Sequence, residues 1–88
     1  MKNRKELTQP FADNLLKLRL QKEMSLRDLE RATGISRTQL HKYENNTADP
    51  SMTNVVTLAK FFGVTVDWFV GESKTRNIGK RGQTDESA

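Results

Sequence analysis

The fold of this chain is decided by residues 25–44, SLRDLERATGISRTQLHKYE, which predict two short helices joined by a tight turn. Ser25 and Ser36 each precede a stretch in which apolar residues recur at helical spacing. A serine hydroxyl at such a position can accept a hydrogen bond from a backbone N–H of the first turn. Gly34 lies between the two stretches, where the chain needs a residue that tolerates left-handed backbone geometry. The sequence therefore predicts one helix that ends at the glycine and a second that begins directly after Ser36.

The second predicted helix has one apolar face and one polar face. Leu40 and Tyr43 fall on the same side as Ile35 in the turn, so this side is expected to pack into a core. The other side carries polar residues that are free to contact a partner, namely Thr38, His41 and Lys42.

Composition limits the class of protein. With 88 residues, of which 34% are hydrophobic, the chain has room for one small domain and no deep catalytic cavity. The absence of cysteine excludes disulfides, thiolate zinc sites and thiol nucleophiles, and it is consistent with a reducing compartment. No apolar run is near the roughly 20 residues of a membrane span, so we expect a cytoplasmic protein with no membrane partner. The net charge of +4 favours a polyanionic partner.

The chain divides into three parts. Residues 1–10 are polar and basic and end at Pro10, which predicts a flexible N-terminal arm. Residues 11–71 carry the helical patterns and predict the folded domain. Residues 72–88 are polar apart from Ile78, and such a composition does not offset the entropy cost of ordering, so we predict a disordered tail.

Three further helices are predicted within the domain. The first covers residues 11–22, the second follows Ser51 and ends at Gly63, and the last is a short helix between Thr65 and Gly71. Their apolar stripes are, in chain order, Phe11, Leu15 and Leu18; Met52, Val55, Leu58, Ala59 and Phe62; and Val66 and Phe69. The sequence thus predicts an all-α fold of five helices with no strand.

Several separate pieces of the sequence, taken in order, resemble one known family. They are Leu15, Leu18 and Arg19; Ser25, Leu29 and residues 33–36; Tyr43, Glu44, Pro50 and Ser51; and Leu58, Ala59, Gly63, Val64, Val66 and Asp67. This ordered set is similar to the phage-repressor and Cro type of helix-turn-helix regulators, over roughly residues 11–69. The resemblance implies a compact five-helix domain of lambda-repressor-like fold that binds double-stranded DNA.

Three positions depart from the family pattern. Glu30 stands where the family usually has a small alanine between the two motif helices, which would either loosen the helix pair or turn the carboxylate outward. Leu26 stands where a phosphate-contacting glutamine is frequent. Asn46 replaces a usual glycine, which is a mild change because asparagine tolerates left-handed geometry.

Within this motif the second helix is expected to enter the major groove, because an α-helix is narrow enough to fit there. Its outer face and first turn would then contact base edges, through Arg37, Thr38, Gln39, His41 and Lys42. Phosphates would be contacted from helix starts, from the loop after the second helix and from nearby charges. The residues predicted for this role are Lys22, Ser25, Leu26, Arg27, Ser36, Asn45, Asn46, Thr47 and Ser51.

The resemblance also implies a structural ion pair, in which Arg19 and Glu44 fix the angle of the second motif helix. Leu16, Leu20 and Trp68 fit no predicted core face, and exposed apolar side chains of this size favour an interface. We therefore predict a homodimer that binds a palindromic operator and acts as a repressor.

Two other classes of function, a protein-interaction module and an enzyme, were compared with the sequence. The same fold would serve as an antitoxin or protein-interaction module, with a partner protein bound through Leu16, Leu20 and Trp68. An enzyme is not expected, because His41 is the sole histidine and has no thiol or triad partner near it in the sequence. No cofactor is expected, and no metal site either, because a single histidine does not make one.

Overall fold

The computed structural model describes residues 4–71, and within them the chain forms five α-helices and no strand. The helices are α1 (Arg4–Gln21), α2 (Leu26–Thr33), α3 (Arg37–Glu44), α4 (Met52–Phe62) and α5 (Val66–Val70). The all-α class and the five-helix count therefore agree with the prediction. No helix of this part of the chain is both long enough and apolar enough to cross a bilayer.

Hydroxyl side chains begin the four helices that follow α1. The hydroxyls of Ser25, Ser36, Ser51 and Thr65 each accept a hydrogen bond from the backbone N–H of the third helical residue. Gly34 and Gly63 end α2 and α4 in left-handed geometry, with φ angles of 80° and 74°. The cap residues of these helices were thus correctly predicted.

Helix α1 is central to the packing, because it contacts both α3 and α5, while α2 packs on α3 and α4. The Phe11 ring of α1 lies with its centroid 5.6 Å from that of Tyr43 and 4.9 Å from that of Phe69. The core is completed by buried apolar side chains from α1 to α4 and the α2–α3 turn: Leu15, Leu29, Ile35, Leu40, Val55, Leu58 and Ala59. This packing fixes α3 from its inner side.

The structure corrects the start of the first helix. We expected a flexible arm over residues 1–10 with a boundary at Pro10, but α1 begins at Arg4 and Pro10 lies inside it. Thr8 and Gln9 both hydrogen-bond Asn46, and such long-range contacts leave no trace in a local sequence pattern. Residues 1–3 and 72–88, which include the predicted tail, lie outside the described part of the chain.

Two apolar side chains also lie elsewhere than predicted. Met52 was assigned to the core but is 70% exposed, because it is the first residue of α4. Trp68 was expected on the surface, yet it is half-buried and packs against the core. It lies next to the fully buried Phe69 in a helix of only five residues, and its ring centroid is 6.4 Å from that of Phe69. Leu16 and Leu20 are exposed, as predicted.

Candidate nucleic-acid interface

Helix α3 presents a polar outer surface. The side chains of Arg37, Thr38, His41 and Lys42 are exposed, and that of Gln39 is half-buried. The structure therefore places all five predicted base-contacting residues on one short helix of eight residues. Two of them are cations, so this surface is complementary to an anionic partner.

The inner face of α3 is fixed in the core by Leu40 and Tyr43, which are 0% and 2% exposed. The hydroxyl of Tyr43 accepts a hydrogen bond of 2.9 Å from Nδ2 of Asn54, which gives the phenol of this buried side chain a polar partner. Asn54 belongs to α4, and the sequence analysis did not identify its role because the contact depends on how α4 packs. This hydrogen bond joins the inner face of α3 to α4.

Arg19 and Glu44 form the predicted ion pair at the end of α3. Nε of Arg19 donates to Oε2 of Glu44 at 2.7 Å and Nη2 donates to Oε1 at 3.0 Å, so the guanidinium meets the carboxylate as a fork. Hydrogen bonding to Glu44 raises the pKa of the Arg19 guanidinium above its ordinary value, which keeps it charged. Nη1 of Arg19 donates to the carbonyl of Met24 at 2.8 Å. One side chain thus ties α3 to α1 and to the segment before α2.

Short local hydrogen bonds hold the turn between α2 and α3. Oγ1 of Thr33 donates to the carbonyl of Leu29 at 2.8 Å and accepts from the N–H of Ile35 at 3.3 Å. The N–H of Gly34 donates to the carbonyl of Glu30 at 2.8 Å. The Glu30 side chain is half-buried, and α2 and α3 pack together in its presence. The turn therefore keeps its geometry with a glutamate where the family usually has alanine.

The loop after α3 is joined to the last turn of that helix. Nδ2 of Asn45 lies 3.0 Å from Nε2 of His41 and braces the imidazole ring. The hydroxyl and the N–H of Thr47 both donate to the carbonyl of Lys42, at 3.2 and 2.9 Å. The exposed side chains of the loop are consequently held close to the outer face of α3.

Most residues predicted to contact phosphates are exposed and lie at helix starts or in this loop: Ser25, Arg27, Ser36, Asn45, Thr47 and Ser51. A capping serine accepts a bond from the backbone with its oxygen, and its hydroxyl proton can still be donated to a phosphate. Leu26 is half-buried against the core, so only its backbone N–H at the start of α2 suits this role.

Lys22 occupies a different environment. Its ammonium nitrogen lies 5.9 Å from the centroid of the Phe61 ring, which is a cation–π contact at the C-terminal end of α4. Since α4 begins next to Ser51 and runs away from that cap, this contact does not bring Lys22 to the loop after α3. Its phosphate contact stays a prediction.

Asn46, which was predicted to contact a phosphate, instead lies buried with its side chain bonded within the protein, so that contact stays a prediction. This side chain is 4% exposed, and its amide is used by α1. Nδ2 donates to the carbonyl of Lys5 and to Oε1 of Gln9, both at 3.0 Å, and Oδ1 accepts from Oγ1 of Thr8 at 2.6 Å. The left-handed backbone at φ 57° was foreseen. The burial of the Asn46 side chain was not predicted, because its three partners lie 37 to 41 residues earlier in the chain.

Comparisons with known proteins agree with this geometry. A model of the helix-turn-helix family matches residues 15–69. A curated relative from Vibrio cholerae, the "Cryptic phage CTXphi transcriptional repressor RstR", is 28% identical over 65 residues, which cover 74% of this chain and 59% of the relative. The chain therefore spans less than two thirds of that relative's length.

Two solved structures share the fold. The hypothetical transcription factor NHTF from Neisseria matches with a TM-score of 0.71 and 22% identity, over 82% of this chain and 83% of that one. The DNA-binding domain of BldD from S. venezulae matches with a TM-score of 0.66 and 22% identity, over 75% of this chain and 99% of that domain. Because the family model covers more than half of its residues, the chain belongs to the helix-turn-helix family, in agreement with the resemblance found in its sequence.

Proposed function

We propose that the chain is a sequence-specific regulator of transcription that binds double-stranded DNA and acts as a repressor. The observation that carries the proposal is the exposed polar face of α3, on a helix whose inner side is fixed by buried Leu40 and Tyr43 and by the Arg19–Glu44 pair. Reading of base edges needs side chains at defined positions in the major groove, and a rigid helix supplies them. The repressor role is supported by the similarity to the CTXphi transcriptional repressor RstR.

Individual side chains of α3 suit different base contacts. Arg37 is exposed in the first turn, where a guanidinium can donate two hydrogen bonds to O6 and N7 of guanine. Thr38, next to it, presents a methyl group to thymine or a hydroxyl to another base. Lys42 lies about one turn further along and reaches a guanine or a phosphate.

We also propose that the chain binds a palindromic site as a homodimer. Trp68 is half-buried, so it offers less surface to a dimer interface than expected. Leu7, Met52 and Val70 are 61%, 70% and 40% exposed and line one apolar groove. Large apolar side chains that are exposed together favour association with another protein surface. Two copies related by a two-fold axis would place their α3 helices in half-sites about 34 Å apart.

Selection of bound duplexes from a random DNA library tests the proposal directly. At about physiological salt, non-specific binding is weak, so an enriched sequence reports base reading rather than charge attraction. Enrichment of a palindrome would support a sequence-specific dimer, and a single enriched half-site would support sequence reading by a monomer. A pool that shows no enrichment would overturn the DNA-reading function.

The substitution Arg37→Ala tests the role of the first turn. It should weaken binding to the selected site by about 1–3 kcal/mol and relax the preference at one base pair of each half-site, because a bidentate contact is lost. The matched control is Arg31→Ala, which removes an exposed arginine from the last turn of α2 and should leave base preference unchanged. Both are measured by titration of the selected duplex and its single-base variants. Equal losses on every duplex would show that Arg37 contacts the backbone and not a base.

A further inference from the structure

Asn46 links the first turns of α1 to the loop that follows α3. Its amide nitrogen is bonded to the carbonyl of Lys5 and to the side chain of Gln9, and its amide oxygen is bonded to the hydroxyl of Thr8. The three α1 residues lie within five positions of one another, so the hydrogen bonds of one buried side chain span more than one turn of the helix.

The turns held in this way precede Pro10. Proline has no N–H to donate to the helical ladder, so the turns before it are joined less firmly to the rest of α1. Leu7, the one large apolar side chain among residues 5–9, is 61% exposed and contributes little burial. The hydrogen bonds of Asn46 therefore supply an attachment that apolar packing at Leu7 does not.

We propose that Asn46 is a positioning residue that holds Lys5 against the DNA backbone beside the loop after α3. The inference rests on the proposed function, because it requires that loop to face DNA. The exposed residues Asn45 and Thr47 flank Asn46 in the chain, and the backbone of Lys5 is bonded to Asn46 directly. Lys5 is exposed, and because its carbonyl is bonded to Asn46, its flexible four-carbon stem starts beside the loop. The two segments thus contact neighbouring phosphates.

A lysine on a phosphate has a distinct signature. Each neutralised phosphate releases condensed counterions. In a plot of log K against log salt concentration, each such contact increases the magnitude of the slope by about 0.9. The contact carries no sequence information, so its loss lowers affinity for every duplex alike. This signature separates Lys5 from the base-reading residues of α3.

The experiment compares the full chain with Lys5→Gln, Asn46→Gly and the double variant, by titration of one selected duplex over a series of salt concentrations. Glycine suits the φ of 57° at position 46, so Asn46→Gly keeps the backbone geometry and removes only the amide. Lys5→Gln should reduce the slope by about 0.9, and Asn46→Gly should reduce it similarly. The double variant should show no further loss, because both changes remove one contact.

A matched control and a measurement without DNA complete the test. Lys60→Gln removes an exposed charge nine residues beyond the Ser51 cap, about 14 Å along α4, and should leave the slope unchanged. In the unbound protein, Asn46→Gly should speed amide hydrogen exchange over residues 5–9 while exchange in α4 stays as in the wild type.

The outcomes separate the parts of the proposal. An unchanged slope for Lys5→Gln would overturn its phosphate contact. A reduced slope for Lys5→Gln with a wild-type slope and wild-type exchange for Asn46→Gly would overturn the positioning role of Asn46. Failure of the wild-type chain to bind any duplex would instead overturn the proposed function, and the Lys5 contact with it.

Discussion

At the residue scale, three asparagines form hydrogen bonds that link different parts of the fold. These bonds fix relative orientations that apolar packing alone does not define. Asn14 joins α1 to the end of α5, Asn46 joins the loop after α3 to α1, and Asn54 joins α4 to the phenol of Tyr43. Asn14 and Asn46 are buried and Asn54 is half-buried, and amides paired in this way favour one arrangement, because any other leaves polar groups unpaired. The asparagines therefore add geometric definition to a small core.

The substitution Asn14→Ala should destabilise the protein by about 1–3 kcal/mol, because it removes a buried donor from the carbonyl groups at the end of α5. Asn14 is 3% exposed, and its Nδ2 donates to the carbonyls of Trp68, Phe69 and Gly71 at 3.3, 3.0 and 3.2 Å. These carbonyls lie at the end of α5; that of Trp68 also accepts the N–H of Gly71 at 3.3 Å, so the buried carbonyl of Phe69 depends most on Asn14. Urea unfolding followed by circular dichroism measures the change in the free energy of unfolding.

An exposed position on the same helix provides the control for this measurement. Gln21 is the last residue of α1 and is exposed, so Gln21→Ala should change the free energy of unfolding by no more than about 0.5 kcal/mol. If Asn14→Ala were no more destabilising than Gln21→Ala, the hydrogen bonds to α5 would not contribute to stability.

At the scale of elements, all five helices were predicted, and only the start of α1, which depends on distant contacts, was misplaced. Helices α2 to α5 begin at hydroxyl caps, and α2 and α4 end at Gly34 and Gly63. These ends could be predicted because capping involves residues that are close together in the sequence. The beginning of α1 was misplaced because it is held by hydrogen bonds to Asn46, which lies up to 41 residues later in the sequence. Asn14 carried one usable signal: it lies three residues after Phe11 and one before Leu15, within the stripe that faces the core.

The start of α2 carries a titratable capping side chain, Asp28. Its carboxylate accepts a hydrogen bond of 3.0 Å from the N–H of Ser25, while the hydroxyl of Ser25 accepts from the N–H of Asp28. The bonds from the Ser25 backbone and side chain lower the pKa of the Asp28 carboxyl below its ordinary value of 3.8. A lowered folded-state pKa means that the stabilisation is complete above the ordinary pKa and is lost as pH falls through the folded-state value.

The substitution Asp28→Asn should therefore weaken the dependence of stability on acid. Asparagine keeps an oxygen acceptor for the Ser25 N–H but does not titrate, so the variant should lose less stability than the wild type below about pH 4. Thermal unfolding at a series of pH values from neutral to strongly acidic measures the difference. Parallel curves for the two proteins across the acidic range would contradict a role of Asp28 in this dependence.

At the scale of the whole molecule, α1 connects the parts that determine where α3 lies. Its Phe11 contacts both α3 and α5, its Arg19 holds Glu44, and its first turns are attached to Asn46. The outer face of α3 makes none of these connections, since its side chains are exposed. Substitutions on that face should consequently alter the sequence preference while leaving the fold intact, which is the separation that a DNA-reading domain needs.

The proposed homodimer predicts a dependence on the spacing of half-sites. An insertion of about 5 base pairs between them turns one half-site to the opposite side of the duplex, whereas about 10 base pairs restores the original side. The half-turn insertion should reduce affinity about 100-fold, because the two linked domains no longer bind at the same time, and the full-turn insertion should recover part of the loss if the dimer can span it. Titration of the three duplexes, with sedimentation of the unbound chain, measures both binding and assembly. Equal affinity for all three duplexes would show that each chain reads its half-site alone, and the dimer would be wrong while the reading role of α3 stood.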